Sequence, residues 1–353
     1  MQRPRISGAL GRLTILSVAY PLAVVGPDAT GGAEQVLGMV DRALAGAGHH
    51  SIVIAPQGSR VAGTLVSVPR REGAMTDGEW VQAHDAHRRA LASVLAEYPV
   101  QLIHFHGCDF IRYLPECDLP MLATLHLPPA WYDPQIFSLR RPSLQLHCVS
   151  RAQRLHCPPS SLLGPDIENG VPVERLALYR AKEPYAVVLG RICPEKGVHL
   201  ALEAARLAGA PLRIAGPVYR YPAHVRYFEE DIAPRLDAER RYLGPLDFDA
   251  KAALLAAARC LLVPSLAETS SLAAMEALAS GTPVIAFRVG ALPDMVEDGV
   301  TGFLVDDVAH MAEAIARVDQ LDPAACRAAA RARFSHERML AAYLERYRRL
   351  AAA

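Results

Sequence analysis

The chain has 353 residues, 51% of them hydrophobic, and its 37 basic side chains are balanced by 37 acidic ones. This hydrophobic content excludes a disordered chain. The lack of a basic excess argues against nucleic acid as a partner, because phosphate backbones are bound by positive fields.

The length predicts two domains of ordinary size, each with its own core. The first apolar run, Leu13–Ala19, predicts a buried strand that follows a ragged N-terminal tail. Arg3, Arg5 and Arg12 precede the longer apolar stretch Leu13–Val25 as in a signal peptide, but Pro21 interrupts that stretch and no small-residue cleavage pattern follows. Without a charge-free window of about 18 apolar residues we expect no membrane span. We expect a cytoplasmic protein and leave open a peripheral contact with the inner membrane face.

The seven cysteines are odd in number and form no Cys-x-x-Cys pair. The spacing therefore predicts neither a disulfide framework nor a structural zinc site. We expect reduced thiols.

Short apolar runs alternate with amphipathic segments through the first half of the chain, a pattern typical of a parallel sheet covered on both faces. The predicted strands are Leu13–Ala19, Ser51–Ala55, Thr64–Val68, Leu102–Phe105, Met121–Leu125 and Leu144–Val149. The predicted helices are Ala33–Ala47, Asp77–Glu97 and a short one near Phe110.

Dense proline and glycine residues between Pro158 and Pro184 predict an irregular connection between domains. The alternation then restarts. The predicted strands are Tyr185–Leu189, Leu212–Ala215, Tyr242–Leu243, Leu261–Pro264, Pro283–Ala286 and Phe303–Val305. The predicted helices are Gly197–Ala208, Asp249–Ala258, Leu272–Ala279 and Val308–Val318, followed by one long helical region over Pro323–Ala353.

The sequence thus predicts an α/β fold with two doubly wound, Rossmann-like domains that face each other across a cleft. We place the domains at residues 12–172 and 184–335, with a C-terminal helix at 336–353 packing back toward the first domain. Ligands of open α/β sheets bind at the carboxyl ends of the strands, which here border the cleft.

Two carboxylates, Glu268 and Glu276, flank the start of a predicted helix that Ser270 or Ser271 would cap. The free amide groups at a helix start bind anions, and carboxylates bind vicinal hydroxyl groups. This combination suits a ligand that carries both phosphates and sugar hydroxyls.

A second segment, Gly190 to Gly197, follows a strand and opens a helix. Its Arg191 and Lys196 offer two fixed positive charges that could neutralise a diphosphate without a metal ion.

These residues resemble the family 4 glycosyltransferases of the GT-B fold. The resemblance rests on Gly190-Arg191 with Glu195-Lys196-Gly197, Pro264-Ser265, Glu268 to Glu276, Ala277 to Val284, Gly290, Leu292 to Val296, Glu297-Asp298-Gly299, Thr301-Gly302-Phe303, Gly31-Gly32-Ala33-Glu34 and Asn169-Gly170-Val171. It differs from many members at Ser271, where they carry the glycine of a Phe-Gly pair.

The resemblance implies a donor-binding second domain and an acceptor-binding first domain. Arg191 and Lys196 would hold the donor diphosphate, Glu276 the ribose, and the amide groups of Leu272 and Ala273 the distal phosphate. Glu268 and His126 would contact the transferred sugar. The implied donor site also includes Gly31, Gly32, Gly190 and Ser271.

Three histidines, His104, His106 and His126, lie at predicted strand ends. We do not expect them to bind zinc, because no fourth ligand is apparent. The resemblance places His106 on the acceptor side of the cleft, and we expect His104 in the core. Ser150 would cap a helix that faces the cleft, and Arg151 would then favour an anionic acceptor.

The resemblance implies a metal-independent hexosyltransferase, without a cofactor, that retains the anomeric configuration. The donor would be a UDP-sugar, with a GDP-sugar second, and the acceptor a glycan, a lipid-linked glycan or a small molecule. One alternative is a catalytically silent sugar-nucleotide-binding protein. Another is an NAD-dependent dehydrogenase, although no Gly-x-Gly-x-x-Gly follows the first strand.

Overall fold

The computed structural model describes residues 11–71 and 73–352 of the chain. Residues 1–10 of the predicted N-terminal tail, and residue 353 of the predicted C-terminal helix, lie outside this part.

Two six-stranded parallel sheets form the framework, as predicted. The first sheet has the strand order β3-β2-β1-β4-β5-β6, and the second has the order β12-β11-β10-β7-β8-β9. The strands of the first sheet are β1 (Thr14–Val18), β2 (His50–Pro56), β3 (Thr64–Val68), β4 (Leu102–Phe105), β5 (Met121–Leu125) and β6 (Leu144–Cys148). Those of the second are β7 (Ala186–Leu189), β8 (Leu212–Ala215), β9 (Arg240–Gly244), β10 (Cys260–Val263), β11 (Val284–Phe287) and β12 (Gly302–Val305). Strands β1, β4, β5, β10 and β11 are buried along their whole length, which explains their continuous apolar runs.

Helices cover both faces of the sheets. They are α1 (Gly32–Gly46), α2 (Asp77–Glu97), α3 (Arg151–Leu155), α4 (Val173–Leu176), α5 (Val198–Leu207), α6 (Pro222–Tyr227), α7 (Phe248–Ala257), α8 (Leu272–Ala279), α9 (Leu292–Met295), α10 (Val308–Arg317), α11 (Pro323–Arg333) and α12 (His336–Ala351). Three of these, α4, α6 and α9, were not predicted. Each has only four to six residues, too few to show a helical period in the sequence.

The C-terminal region departs from the single long helical region that the sequence predicts. It forms two helices, α11 and α12, which are separated at Phe334 and Ser335. The amide of Val171 donates to the carbonyl of Phe334 at 2.8 Å, and the amide of His336 donates to the carbonyl of Val171 at 2.9 Å. This pairing with the interdomain connection occupies backbone groups that a continuous helix would use.

Helix α12 packs on the first sheet. Its buried side chains Met339, Tyr343 and Tyr347 join an apolar cluster with β1, β4 and α1. The chain therefore returns from the second sheet to the first with α12. This helix also contacts polar side chains of β4 and β5, which are described below.

Candidate functional site

The loop after β7 carries the first two predicted cations. Gly190 has a φ of +146°, and a Cβ atom built on Gly216 would lie 1.8 Å from the Gly190 carbonyl oxygen, so the two backbones pass each other closely. Within the described part of the chain, the Arg191 guanidinium has no hydrogen-bond or ion-pair partner. It is therefore available for an anionic ligand.

Lys196 lies on the same loop and forms an ion pair with Glu268, with 2.6 Å between Nζ and Oε2. Ser265 Oγ also donates to Glu268 Oε2, at 3.3 Å. The two loops are held together by a hydrogen bond of 2.8 Å from the Leu266 amide to the Glu195 carbonyl. The structure thus brings Arg191, Lys196 and Glu268 to the carboxyl ends of β7 and β10.

Gly290 fixes the backbone of Glu268. It has a φ of +56°, and a Cβ atom at this position would lie 1.8 Å from the Glu268 carbonyl oxygen. The amide of the next residue, Ala291, donates to the same carbonyl at 3.0 Å. The glycine is therefore required both by its conformation and by the close approach of Glu268.

Replacing Gly290 with alanine is expected to lower the free energy of unfolding by at least about 2 kcal/mol more than replacing Gly299. Gly299 is a matched control, because it also has a positive φ but a Cβ atom there would meet open space. Urea denaturation of both variants measures the difference. Equal destabilisation would show that the Glu268 contact is unimportant.

Glu276 lies in the second turn of α8 and is only 3% exposed. Its Oε1 pairs with Lys251 Nζ of α7 at 2.5 Å. The predicted cap is present, since Ser271 Oγ accepts from the Ala274 amide at 3.3 Å. Leu272 and Ala273 occupy the first turn, where amide groups have no partner within the helix.

The opposite wall of the cleft is formed by the first domain, at the loop before α1. Gly31 and Gly32 precede and begin α1, and a Cβ atom on Gly32 would lie 3.5 Å from Leu272 Cδ1 at the start of α8. Glu34 belongs to the Gly31–Glu34 motif but was not predicted as a site residue. It is buried beneath this loop, and a Cβ atom on Gly31 would lie 1.9 Å from its Oε2. Burial raises the pKa of Glu34, while the nearby charge of Arg191 opposes the shift.

Hydrogen bonds between described residues join the two walls of the cleft. Thr269 Oγ1 donates to the carbonyl of His126 at 2.9 Å, and the hydroxyl groups of Thr30 and Tyr219 lie 2.9 Å apart. His126, predicted from the first domain, thus meets the Glu268 loop of the second.

His126 begins a buried chain of hydrogen bonds that runs away from the cleft. Its Nε2 lies 3.1 Å from Nδ1 of His106, and Nε2 of His106 lies 3.1 Å from Nδ1 of His104. Tyr347 of α12 also reaches Nδ1 of His104, at 2.7 Å. As predicted, His104 is a core residue.

The far end of this chain sets the direction of the hydrogen bonds. The carbonyl of Cys148 only accepts, so Nδ1 of His147, 3.1 Å away, carries the hydrogen. Burial lowers the pKa of His147 to about 3, so the ring is neutral and its Nε2 is an acceptor. The Thr124 hydroxyl donates to that Nε2 at 2.7 Å. Having one hydrogen, Thr124 must accept from Nε2 of His104, also at 2.7 Å.

The histidine rings between Thr124 and the cleft are also neutral. Burial lowers the pKa of His104 and of His106 well below 6.5, so both rings are neutral. Nδ1 of His104 has one lone pair, which accepts from the Tyr347 hydroxyl at 2.7 Å. Burial lowers the pKa of His126 to about 3. Its ring is therefore also neutral, with one donor and one acceptor nitrogen.

The buried histidines predict a steep loss of stability in mild acid. The pKa values of His104, His106 and His147 in the folded chain lie below the unfolded value of about 6.5. The unfolded chain therefore binds more protons, and stability falls as the pH falls below about 6.5. With His126, whose pKa is also lowered by burial, four such groups give a slope of up to about 5 kcal/mol per pH unit.

Chemical denaturation between about pH 7 and pH 5 measures this slope, in a range where most carboxylates are ionised in both states. The exposed His156 provides a control, since its replacement with alanine should leave the slope unchanged. A slope of one proton or fewer would contradict the buried network.

Ser150 caps α3, as predicted, by accepting from the Gln153 amide at 3.1 Å. Arg151 begins the helix and is exposed. Gln153, which was not predicted as a site residue, donates from Nε2 to the carbonyls of Leu125 and Leu127 at 2.7 and 2.8 Å. It thereby clamps the backbone on either side of His126.

One group of potential metal ligands occurs among the described residues. Cys193 Sγ, a carboxylate oxygen of Glu195 and a ring nitrogen of His224 all lie within 4.8 Å of one another. Burial lowers the pKa of His224, and the charge of Arg191 adds to this effect. Burial alone would raise the pKa of Glu195, but hydrogen bonds from its own backbone amide and from Cys193 lower it, with smaller contributions from His224 and Arg191. The predicted histidine group of the first domain instead forms the hydrogen-bond chain described above.

None of the described helices is long and apolar enough to cross a membrane.

Two family models match successive parts of the chain. A model described as Glycosyltransferase Family 4 matches residues 30–177, and one described as Glycosyl transferases group 1 matches residues 183–320. The D-inositol 3-phosphate glycosyltransferase of Mycobacterium avium (strain 104) is 36% identical over 161 residues, which are 44% of this chain and 38% of the relative. The chain thus matches less than two fifths of the length of such curated relatives.

Solved structures share the fold over nearly the whole chain. Sucrose-phosphate synthase from Thermosynechococcus elongatus has a TM-score of 0.75 and 22% identity, over 97% of this chain and 100% of that one. Anabaena HepE, solved in complex with UDP-glucose, has a TM-score of 0.69 and 18% identity, over 95% of this chain and 100% of that one. At these identities the likeness is one of fold.

Proposed function

Because the chain belongs to the family 4, group 1 glycosyltransferases, we propose that it moves a sugar from a nucleoside diphosphate donor to an acceptor hydroxyl group. The proposal rests on one convergence: Arg191, Lys196 and the start of α8 lie together at the carboxyl ends of the second sheet. Two cations and a helix N-terminus form a site for a diphosphate. Anabaena HepE, which shares the fold, binds UDP-glucose, and this supports a UDP-sugar first and a GDP-sugar second.

The donor would lie across the start of α8. Arg191, which has no partner among the described residues, would contact the diphosphate directly. The amide groups of Leu272 and Ala273 would hold its distal phosphate, and Glu276 would accept from the ribose hydroxyl groups. Glu268 would lie beside the transferred sugar, close to Lys196.

His126 would complete the sugar subsite from the first domain. Because its ring is neutral, it would bind a sugar hydroxyl group, which can both donate and accept, rather than form an ion pair with a carboxylate. The glycine loop at Gly31 and Gly32 would let the donor approach α1 without obstruction.

In the proposed reaction, the bond between the anomeric carbon and the diphosphate breaks as positive charge develops on the sugar. Negative charge grows on the leaving phosphate, where Arg191, Lys196 and the α8 amide groups stabilise it. The acceptor hydroxyl group would attack from the face that the phosphate leaves and give it its proton, so the anomeric configuration is retained. This scheme needs neither a metal ion nor a protein nucleophile.

The acceptor side of the cleft would be formed by His106, Ser150 and Arg151. The exposed guanidinium of Arg151 supports an anionic acceptor, and the curated relatives are named for a phosphorylated inositol. A growing glycan, a lipid-linked glycan and a phosphorylated polyol are the acceptor classes to compare. A lipid-linked acceptor would bring the protein to a membrane surface, although we expect it in the cytoplasm.

The test is to incubate the purified chain with UDP- and GDP-sugars, with and without each acceptor class. Release of the nucleoside diphosphate would be measured, and proton NMR would give the anomeric configuration of the product. We expect release from one donor and retention of configuration in the presence of a chelator. Binding without hydrolysis or transfer would favour a silent sugar-nucleotide-binding protein.

A further inference from the structure

Two cysteine side chains meet at the base of α3. Sγ of Cys148, the last residue of β6, lies 3.4 Å from Sγ of Cys157. The remaining five cysteines make no such thiol–thiol contact within the described part of the chain. This pair is separate from the groups that would bind the donor.

The two thiols differ in exposure. Cys148 is fully buried, whereas Cys157 is partly exposed just beyond α3. An external reagent can therefore reach Cys157, and only Cys157 can pass the reaction on to Cys148.

The two thiols also differ in pKa, and the more exposed Cys157 has the lower one. A hydrogen bond from Cys148 and the nearby charge of Arg154 lower the pKa of Cys157. The same hydrogen bond, together with burial, raises the pKa of Cys148. The exposed member thus has the greater thiolate character, which is required of an attacking thiol.

We propose that Cys148 and Cys157 form a site of reversible oxidation, at which a small-molecule disulfide converts the two thiols to an intramolecular disulfide. The Cys157 thiolate attacks one sulfur of the small disulfide, forming a mixed disulfide and releasing one thiolate. Cys148 Sγ then attacks Cys157 Sγ, loses its proton and releases the second thiolate. The cysteines lose two electrons and two protons, and the small disulfide becomes two thiols.

The disulfide would change the acceptor side of the cleft. Its sulfurs would move from 3.4 Å to about 2.05 Å apart, which draws the end of α3 toward β6. Gln153 lies within the closed loop, and its carbonyl oxygen lies 3.7 Å from the Cys157 sulfur in the reduced chain. Because Gln153 clamps the backbone on both sides of His126, oxidation would shift that segment.

The test treats the folded, fully reduced chain with glutathione disulfide and counts free thiols, with intact mass and peptide mapping as second readouts. We expect the seven thiols to fall to five, with a Cys148–Cys157 cross-linked peptide that dithiothreitol removes. Replacement of Cys117 by serine, a partly exposed control, should leave this peptide unchanged.

The single variants separate the two roles. Cys148→Ser should stop the reaction at a glutathione adduct on Cys157, whereas Cys157→Ser should leave Cys148 unmodified. A stable glutathione adduct on Cys157 in the wild-type chain, or a cross-link that omits either cysteine, would overturn the proposal. These readouts do not use sugar transfer, so they are independent of the proposed activity.

Discussion

Replacement of Lys196 by alanine is expected to lower turnover by about 10² or more, because one of two charges that stabilise the leaving phosphate is lost. Steady-state release of the nucleoside diphosphate measures the effect. Arg206 of α5 is exposed, and its replacement by alanine should leave turnover within about two-fold of the wild type.

This variant also leaves Glu268, whose side chain is 7% exposed, without its ion-pair partner. The double variant Lys196→Ala with Glu268→Gln removes the unpaired charge. If Lys196 acts on the phosphate, the double variant should fold normally and remain slow. Recovery of turnover in the double variant, or near-normal turnover in Lys196→Ala alone, would contradict the proposal that Lys196 stabilises the leaving phosphate.

Replacement of Glu276 by glutamine is expected to raise the Kd for the nucleoside diphosphate by about 10- to 100-fold. The physical reason is the loss of charge-assisted hydrogen bonds to the ribose, each worth about 1.5–3 kcal/mol. Isothermal titration calorimetry measures the change. Turnover at saturating donor should change much less, since the ribose is bound alike in the ground and transition states.

The buried ion pair with Lys251 supplies the control. Lys251→Met, combined with Glu276→Gln, removes both charges and the unpaired lysine. Weak binding in both variants is the expected outcome. Wild-type affinity in the double variant would mean that Glu276 serves only to pair Lys251.

The sequence predicted the parallel sheets because buried strands produce continuous apolar runs and the intervening helices are long enough to show a period. It also predicted a serine cap for α8 at Ser270 or Ser271, and Ser271 is the cap. The link of Glu268 to Arg191 and Lys196 came from the family resemblance. The sheets and the cap depend on local patterns and on a topology with few alternatives.

The sequence could not show which charges pair. Lys251 lies 25 positions before its partner Glu276, and no local pattern connects α7 to α8. The buried position of Glu34 beneath Gly31 is likewise a result of packing, although its place in the first turn of α1 beside two glycines was a signal.

The histidine chain shows the same limit. Alternation placed His104 and His106 on one side of β4, but His147 comes from β6 and Tyr347 from α12, 243 residues after His104. Only the assembled fold places these groups within hydrogen-bond distance. The direction of the hydrogen bonds from His104 through Thr124 to His147 follows from that assembly.

The most direct test of the donor site is thermal unfolding of the wild-type chain and the Glu276→Gln variant with UDP, GDP, ADP, CMP or NAD. A ligand at 100 times its Kd adds about 2.7 kcal/mol of stability, which raises Tm by several degrees. We predict that one nucleoside diphosphate, UDP before GDP, raises Tm of the wild type and that the variant, with its 10- to 100-fold higher Kd, keeps at most about half of this shift. A shift with NAD alone, or with none of the five ligands, would contradict the account.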